Sequence, residues 1–245
     1  MSLNSKTALV TGATAGIGRA IAKQLAAEGA EVIIHGRNAV RAEEVVTEIT
    51  NAGGSARFIG ADLADPLDVQ KLARLAGDVD ILINNAGVYQ FLPTSEMTAD
   101  GFALHMNLNT LAPYILVREL APGMAQRGNG SIVNISTLAA GVATTGTGMY
   151  AASKAALESL TRVWAAEYAR LGVRVNAVAP GPTRSSGTDQ MDPATVKAIA
   201  DTTALGRIAE PEEIAEAVVF LASPKASYIT GVVLEAAGGR RALAD

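Results

Sequence analysis

Thr11-Gly12-Ala13-Thr14-Ala15-Gly16-Ile17-Gly18 is the stretch on which the fold turns. A short apolar run, Thr7–Thr11, leads into it and an alanine-rich pattern of helical period, Ile17–Glu28, leaves it, so it joins a strand to a helix. Gly12 permits a tight turn, Gly16 lets an anion approach the backbone, and Gly18 lets the helix pack closely on the strand. Open N–H groups from Thr14 and Ala15 to Ile17, at the helix start, suit a pyrophosphate. The spacing is G-x-x-x-G-x-G rather than G-x-G-x-x-G, and a plain strand-turn-helix corner has room for the same glycines.

Outward from this unit the alternation continues. Strand-like runs at Glu31–His35, Arg57–Gly60, Asp80–Asn84, Ser131–Ser136, Arg174–Val178 and Val232–Glu235 alternate with helical patterns at Val40–Asn51, Pro66–Ala76, Ala103–Gln126, Tyr150–Leu171 and Pro211–Ala222. Successive βαβ units imply an α/β, doubly wound Rossmann fold, a mostly parallel sheet with helices on both faces. No linker, repeat or low-complexity run divides the chain, so residues 1–245 are expected to form one dinucleotide-binding domain. The least regular segment, Pro180–Leu205, is rich in Gly, Pro, Ser and Thr; residues 183–205 suit a substrate lid.

Composition removes several function classes. With 49% hydrophobic and 18% charged residues the chain reads as globular, and a net charge of -4 points to neither a nucleic-acid nor a membrane partner. There is no cysteine for a disulfide, thiol nucleophile or Cys metal site. His35 and His105 are the only histidines, and no carboxylate cluster accompanies them, so no metal is expected. Met1 to Val10 shows no signal peptide and no apolar run is long enough for a membrane span, which makes a cytoplasmic location the expectation.

The strand ends carry the next readings. At the end of the second run, His35-Gly36-Arg37-Asn38 offers a guanidinium where a carboxylate would repel a 2′-phosphate, so NADP(H) is preferred over NAD(H) as the cofactor. Asp62-Leu63 ends the third run; Asp62 either accepts from an adenine amino group or serves as a turn or cap residue before Pro66. Asn84-Asn85-Ala86-Gly87 ends the fourth, where Asn84 and the small Ala86 and Gly87 leave room for riboses. Tyr150 and Lys154 lie four apart in a helical segment, hence on one face. An ammonium at that spacing lowers a phenol's pKa, a geometry for tuning a proton.

In order, TGATAGIG at 11–18, Asp62, NNAG at 84–87, YAASK at 150–154 and PG at 180–181 resemble the short-chain dehydrogenase/reductase family over nearly the whole chain. The resemblance implies a seven-stranded sheet, reversible hydride transfer between NAD(P) and an alcohol/carbonyl pair, and a homotetramer or homodimer. It implies that Tyr150 is the acid/base, that Lys154 lowers its pKa and holds the nicotinamide ribose, and that Asn107 supports a relay water, with Asn109 as the competitor. The family's serine stands thirteen residues before the tyrosine, which is Thr137 here; Ser136 is the alternative, and neighbouring strand residues face opposite ways. Pro180, Gly181, Thr183 and Ser185 match the nicotinamide loop.

Substrate contacts are expected from Leu138, Thr144, Thr145, Val88, Gln90, Met191 and Val196. The function that follows is NADPH-dependent reduction of a carbonyl in a small molecule, with 3-oxoacyl thioesters as a specialisation. A dehydrogenase of a secondary alcohol, sugar or steroid and a non-catalytic NADP(H) sensor are the alternatives. Two departures accompany the resemblance: Asp62 to Asp80 is about one helical turn short, and Ala236-Ala237-Gly238-Gly239 lacks an acid before the glycine pair.

Overall fold

Alternation along the strands builds two cores. Leu9, Ile33, Leu82, Ile132 and Val175 face one helical layer, while Ala8, Val10, Ile34, Ile83, Val133 and Val178 face the other, as the two-residue period of a strand requires. These positions are nearly continuous apolar runs because a parallel sheet covered on both faces exposes neither. The chain, described over residues 3–240 by a computed structural model, carries them on β1 (Thr7–Val10), β2 (Glu31–Gly36), β3 (Ser55–Gly60), β4 (Ile81–Asn84), β5 (Gly130–Ile135), β6 (Val173–Pro180) and β7 (Val233–Ala236). The two ends of the expected 1–245 domain lie outside the described residues.

All pairings are parallel and the order is β3-β2-β1-β4-β5-β6-β7. The strand order reverses between β1 and β4, the place where doubly wound sheets open a crevice at their carboxyl ends. Helices α1 (Gly16–Ala27), α2 (Ala39–Asn51) and α8 (Pro211–Ala222) supply one layer. Helices α3 (Pro66–Ala76), α5 (Ala112–Gln126) and α6 (Gly148–Tyr168) supply the other. Among the described residues no helix is long and apolar enough to cross a membrane.

Two segments depart from the expected elements. The single helix expected over Ala103–Gln126 is instead α4 (Ala99–Met106), a π-helical turn at Asn107–Leu111, and α5. Pro113 has no N–H to give the Asn109 carbonyl, and the Ala112 N–H bonds five residues back to Asn107, so the ladder widens there. The irregular stretch after β6 contains a further helix, α7 (Pro193–Ala200), begun by the Asp192 side chain, which accepts from the Thr195 N–H at 3.0 Å.

Candidate active site

The glycine turn is latched before any ligand is considered. Thr11 Oγ1 accepts from the N–H groups of Asn85 and Ala86, both at 3.0 Å, and Asn85 Nδ2 donates to the carbonyls of Thr11 and Gly12 at 2.8 and 3.1 Å. Buried His35 completes the frame: its Nδ1 accepts from the Gly12 N–H at 3.2 Å, so Nε2 carries the proton and donates to the Ala61 carbonyl at 3.2 Å. Burial drives this imidazole down to a pKa of about 4 and keeps it neutral. A Cβ on Gly18 would stand 2.3 Å from the Gly12 carbonyl oxygen, so only glycine fits. Gly12 and Gly16 both have positive φ, at 64° and 51°. Above Gly16 a Cβ would meet nothing within 4 Å, and Ala15 at the helix start provides no side-chain cap. The first N–H groups of α1 therefore remain open for an anion.

Across the cleft, α6 presents Tyr150 and Lys154. The Tyr150 phenol lies beside the Thr137 hydroxyl, which lowers its pKa, but burial, the larger influence, raises it above the ordinary value. Lys154 is buried; its Nζ donates to the Ile135 carbonyl at 2.7 Å and its pKa falls to about 8 through desolvation. The expected depression of the Tyr150 pKa by the ammonium is not what these side chains show: burial raises it, and the one lowering influence is the Thr137 hydroxyl. Ser136 turns elsewhere, its Oγ donating to Glu158 Oε1 at 2.6 Å. Neighbouring strand-end residues face opposite ways, and it is Thr137 that meets Tyr150.

The π-helical turn settles which asparagine reaches this place. Asn109 is fully buried: Oδ1 accepts from the Val88 N–H at 2.8 Å, and Nδ2 donates to the Val88 carbonyl and to Ser153 Oγ, both at 2.9 Å. Ser153 in turn donates to the Tyr150 carbonyl at 2.8 Å. A Cβ on Gly87 would lie 3.0 Å from Asn109 Oδ1 and 3.3 Å from Lys154 Nζ, so both border the same glycine. Asn107, the residue favoured from sequence, is only partly buried and lies off this network, because residues two apart on a helix face in nearly opposite directions.

The family model described as enoyl-(acyl carrier protein) reductase matches residues 12–241. This chain belongs to the short-chain dehydrogenase/reductase family. The 3-oxoacyl-[acyl-carrier-protein] reductase of Rickettsia prowazekii is 38% identical over 240 residues, covering 98% of both chains. A solved short-chain dehydrogenase/reductase family protein is 51% identical, with a TM-score of 0.90 over 99% of this chain and 100% of its own. The angucycline C-6 ketoreductase LanV, solved with bound NADP, is 37% identical with a TM-score of 0.92, over 98% and 96%. As a short-chain dehydrogenase/reductase, this chain is an oxidoreductase of alcohol and carbonyl groups that binds a nicotinamide cofactor.

Within this short-chain dehydrogenase/reductase the cleft encloses about 700 Å³. Ala15, Gly16, Ile17, Gly18, Gly87, Thr137, Tyr150, Lys154, Pro180, Gly181, Thr183 and Ser185 line it, as does Ser136. Gly12, Thr14 and Ala86 build the turn behind it, with Gly36 lacking a Cβ that would strike Thr14 Cγ2 at 2.5 Å. Arg37 is exposed, at the end of β2. Asn38 caps α2, accepting from the Arg41 N–H at 3.0 Å. Asp62 is exposed and turns the chain, its Oδ1 accepting from the Ala64 N–H at 3.0 Å, while the Leu63 side chain joins the core.

Asn84 departs from its expected place beside a ribose. It is buried, and its Nδ2 donates to Asn134 Oδ1 at 2.8 Å, tying β4 to β5; its neighbour Asn85 is the one that lines the cleft. Strand alternation separates the two, and the doubled asparagine left the choice open. The expected contacts Val88 and Gln90 are likewise displaced: their backbone groups are held by Asn109 and His105, and Tyr89 and Phe91 line the cleft. Ile199, not Val196, lines it from α7, beside the expected Met191, Leu138, Thr144 and Thr145.

Proposed function

We propose that this chain is an NADPH-dependent reductase that converts a carbonyl to a secondary alcohol. The observation that carries the reading is the Tyr150–Thr137 hydroxyl pair, with buried Lys154 one turn further along α6 and open helix N–H groups in the same cleft. The chain's own groups fit the dinucleotide: the α1 N-terminus takes the pyrophosphate, Arg37 a 2′-phosphate, Asp62 the adenine edge, Lys154 the nicotinamide ribose, and Thr183 and Ser185 the nicotinamide end. When bound, the nicotinamide supplies the hydride.

The protein's part is orientation and proton supply. Thr137 donates to the carbonyl oxygen and holds it beside the phenol. Tyr150, raised by burial, keeps its proton at neutral pH and gives it to the alkoxide oxygen as negative charge develops there. The resulting buried phenolate is stabilised by the Lys154 ammonium, which at neutral pH still holds its proton. Asn109 is a positioning residue, fixing Val88 and Ser153 around this pair. Residues 183–205 serve as the substrate lid.

Arg37 supports NADPH over NADH, and the bound NADP of LanV supports the same choice. The 3-oxoacyl thioester specialisation is supported by the Rickettsia relative's name. A dehydrogenase of a secondary alcohol, sugar or steroid runs the same chemistry in reverse. The chain acts in the cytoplasm and as a homodimer or homotetramer, the assembly being supported by exposed apolar side chains on the helical layer of α5 and α6, among them Tyr114 and Val163. The test is NADPH and NADH consumption measured in parallel over a panel of carbonyl compounds. NADPH is expected to give the higher kcat/KM, and equal or inverted preference overturns the cofactor assignment.

A further inference from the structure

Aromatic residues are 4% of the chain, yet two of them stand exposed beside the reacting phenol. Tyr89 and Phe91 are 58% and 61% exposed, their ring centroids 5.9 Å apart and their planes tilted by only 34°. Each also meets Tyr150, at 6.4 and 6.0 Å, with interplanar angles of 63° and 76°. Large apolar surface left open at a cleft marks a ligand contact.

The placement is built rather than incidental. Asn109 takes both backbone groups of Val88, and His105, fully buried, accepts from the Gln90 N–H on Nε2 at 3.2 Å while Nδ1 donates to the Gly101 carbonyl at 2.7 Å. Further along, the Leu92 N–H bonds to the Gly146 carbonyl at 2.9 Å. Residues 88, 90 and 92 are thus anchored to the scaffold, which leaves the intervening Tyr89 and Phe91 directed at the cleft.

The charged side chains in the rest of the lining are cationic, Arg240 included. No carboxylate lines the cleft among the described residues, and Arg184 is engaged by Glu210 at 2.9 Å and Asp189 at 3.2 Å. Leu138, Val142, Met191 and Ile199 add apolar surface. We infer that, granted the reductase reading and in place of the 3-oxoacyl thioester specialisation, the site prefers ketones whose carbonyl is borne on or beside a flat ring, the ring packing on Tyr89 and Phe91 while the oxygen meets Tyr150 and Thr137. An open acyl chain has no π-face for that wall and leaves its rings unused.

The experiment compares α-tetralone with methyl octyl ketone, which has as many carbons but no ring, as substrates with NADPH. Wild type is expected to favour α-tetralone in kcat/KM. The double variant Tyr89→Leu/Phe91→Leu, which keeps apolar bulk, is expected to lose roughly tenfold on α-tetralone and less than about twofold on the linear ketone. Binding of NADPH, followed by its fluorescence, reports that the variant is folded. Equal losses on both ketones, or a wild-type preference for methyl octyl ketone or a linear 3-oxoacyl thioester, overturn the ring assignment alone. If NADPH binds but no ketone is reduced and neither corresponding alcohol is oxidised with NADP, the reductase reading falls, and this inference with it.

Discussion

Burial moves the two titrating side chains of α6 in opposite directions: it raises Tyr150, whose charged form is the anion, and lowers Lys154 to about 8, whose charged form is the cation. Thr137 is the partner of the phenol, whereas Ser136 is spent on Glu158. Thr137→Ala should therefore lower kcat/KM by roughly a hundredfold, and Ser136→Ala by less than about threefold, in steady-state assays. The reverse ranking would move the carbonyl contact to Ser136. His35 makes a second residue-scale test. Its folded pKa of about 4 lies below the ordinary 6.5, so the unfolded chain binds the proton first and stability falls as pH drops from 6.5 toward 4. At pH 5 the loss is about 2 kcal/mol relative to pH 7. Urea unfolding at the two pH values, in wild type and His35→Gln, should show that part of the slope missing from the variant. From sequence, the shared helix face of Tyr150 and Lys154 and the place of Thr137 beside them were legible, because helical spacing and the family resemblance point to those positions. The choice within the pairs Asn84/Asn85 and Asn107/Asn109 was not, because each depends on the direction in which one residue leaves its element.

At the scale of elements, strands and helices followed from hydrophobic period and glycine placement, with ends within a residue or two for every strand. The π-helical turn at Asn107–Leu111 did not, since its cause is the combination of Pro113 with burial of Asn109 against a distant loop. Helix α7 was hidden because it is only eight residues long and buries none of them. The turn has an energetic consequence. Asn109→Ala leaves the Val88 N–H and carbonyl without their partner and should cost about 1–3 kcal/mol in urea unfolding. Asn107→Ala should cost less than about 0.5 kcal/mol. Similar losses for both would contradict the division of roles between them.

At the scale of the whole molecule, the reversal of strand order between β1 and β4 opens the cleft, and three strand ends meet there through Thr11, His35 and Asn85. Arg37 lies outside this frame and is exposed, and the proposed preference for NADPH rests on it. Arg37→Asp should weaken NADPH by at least about tenfold while changing NADH less than about threefold, read by fluorescence titration. The α5 and α6 layer bears Tyr114 and Val163 outward, and Val163→Glu should shift the protein to a smaller species in light scattering. Proton donation by Tyr150 beside a bound nicotinamide is the step on which the proposed reduction depends. Tyr150→Phe should bind NADPH within about threefold of wild type while ketone reduction falls by at least roughly a hundredfold. Undiminished NADPH consumption by that variant would rule out Tyr150 as the proton donor.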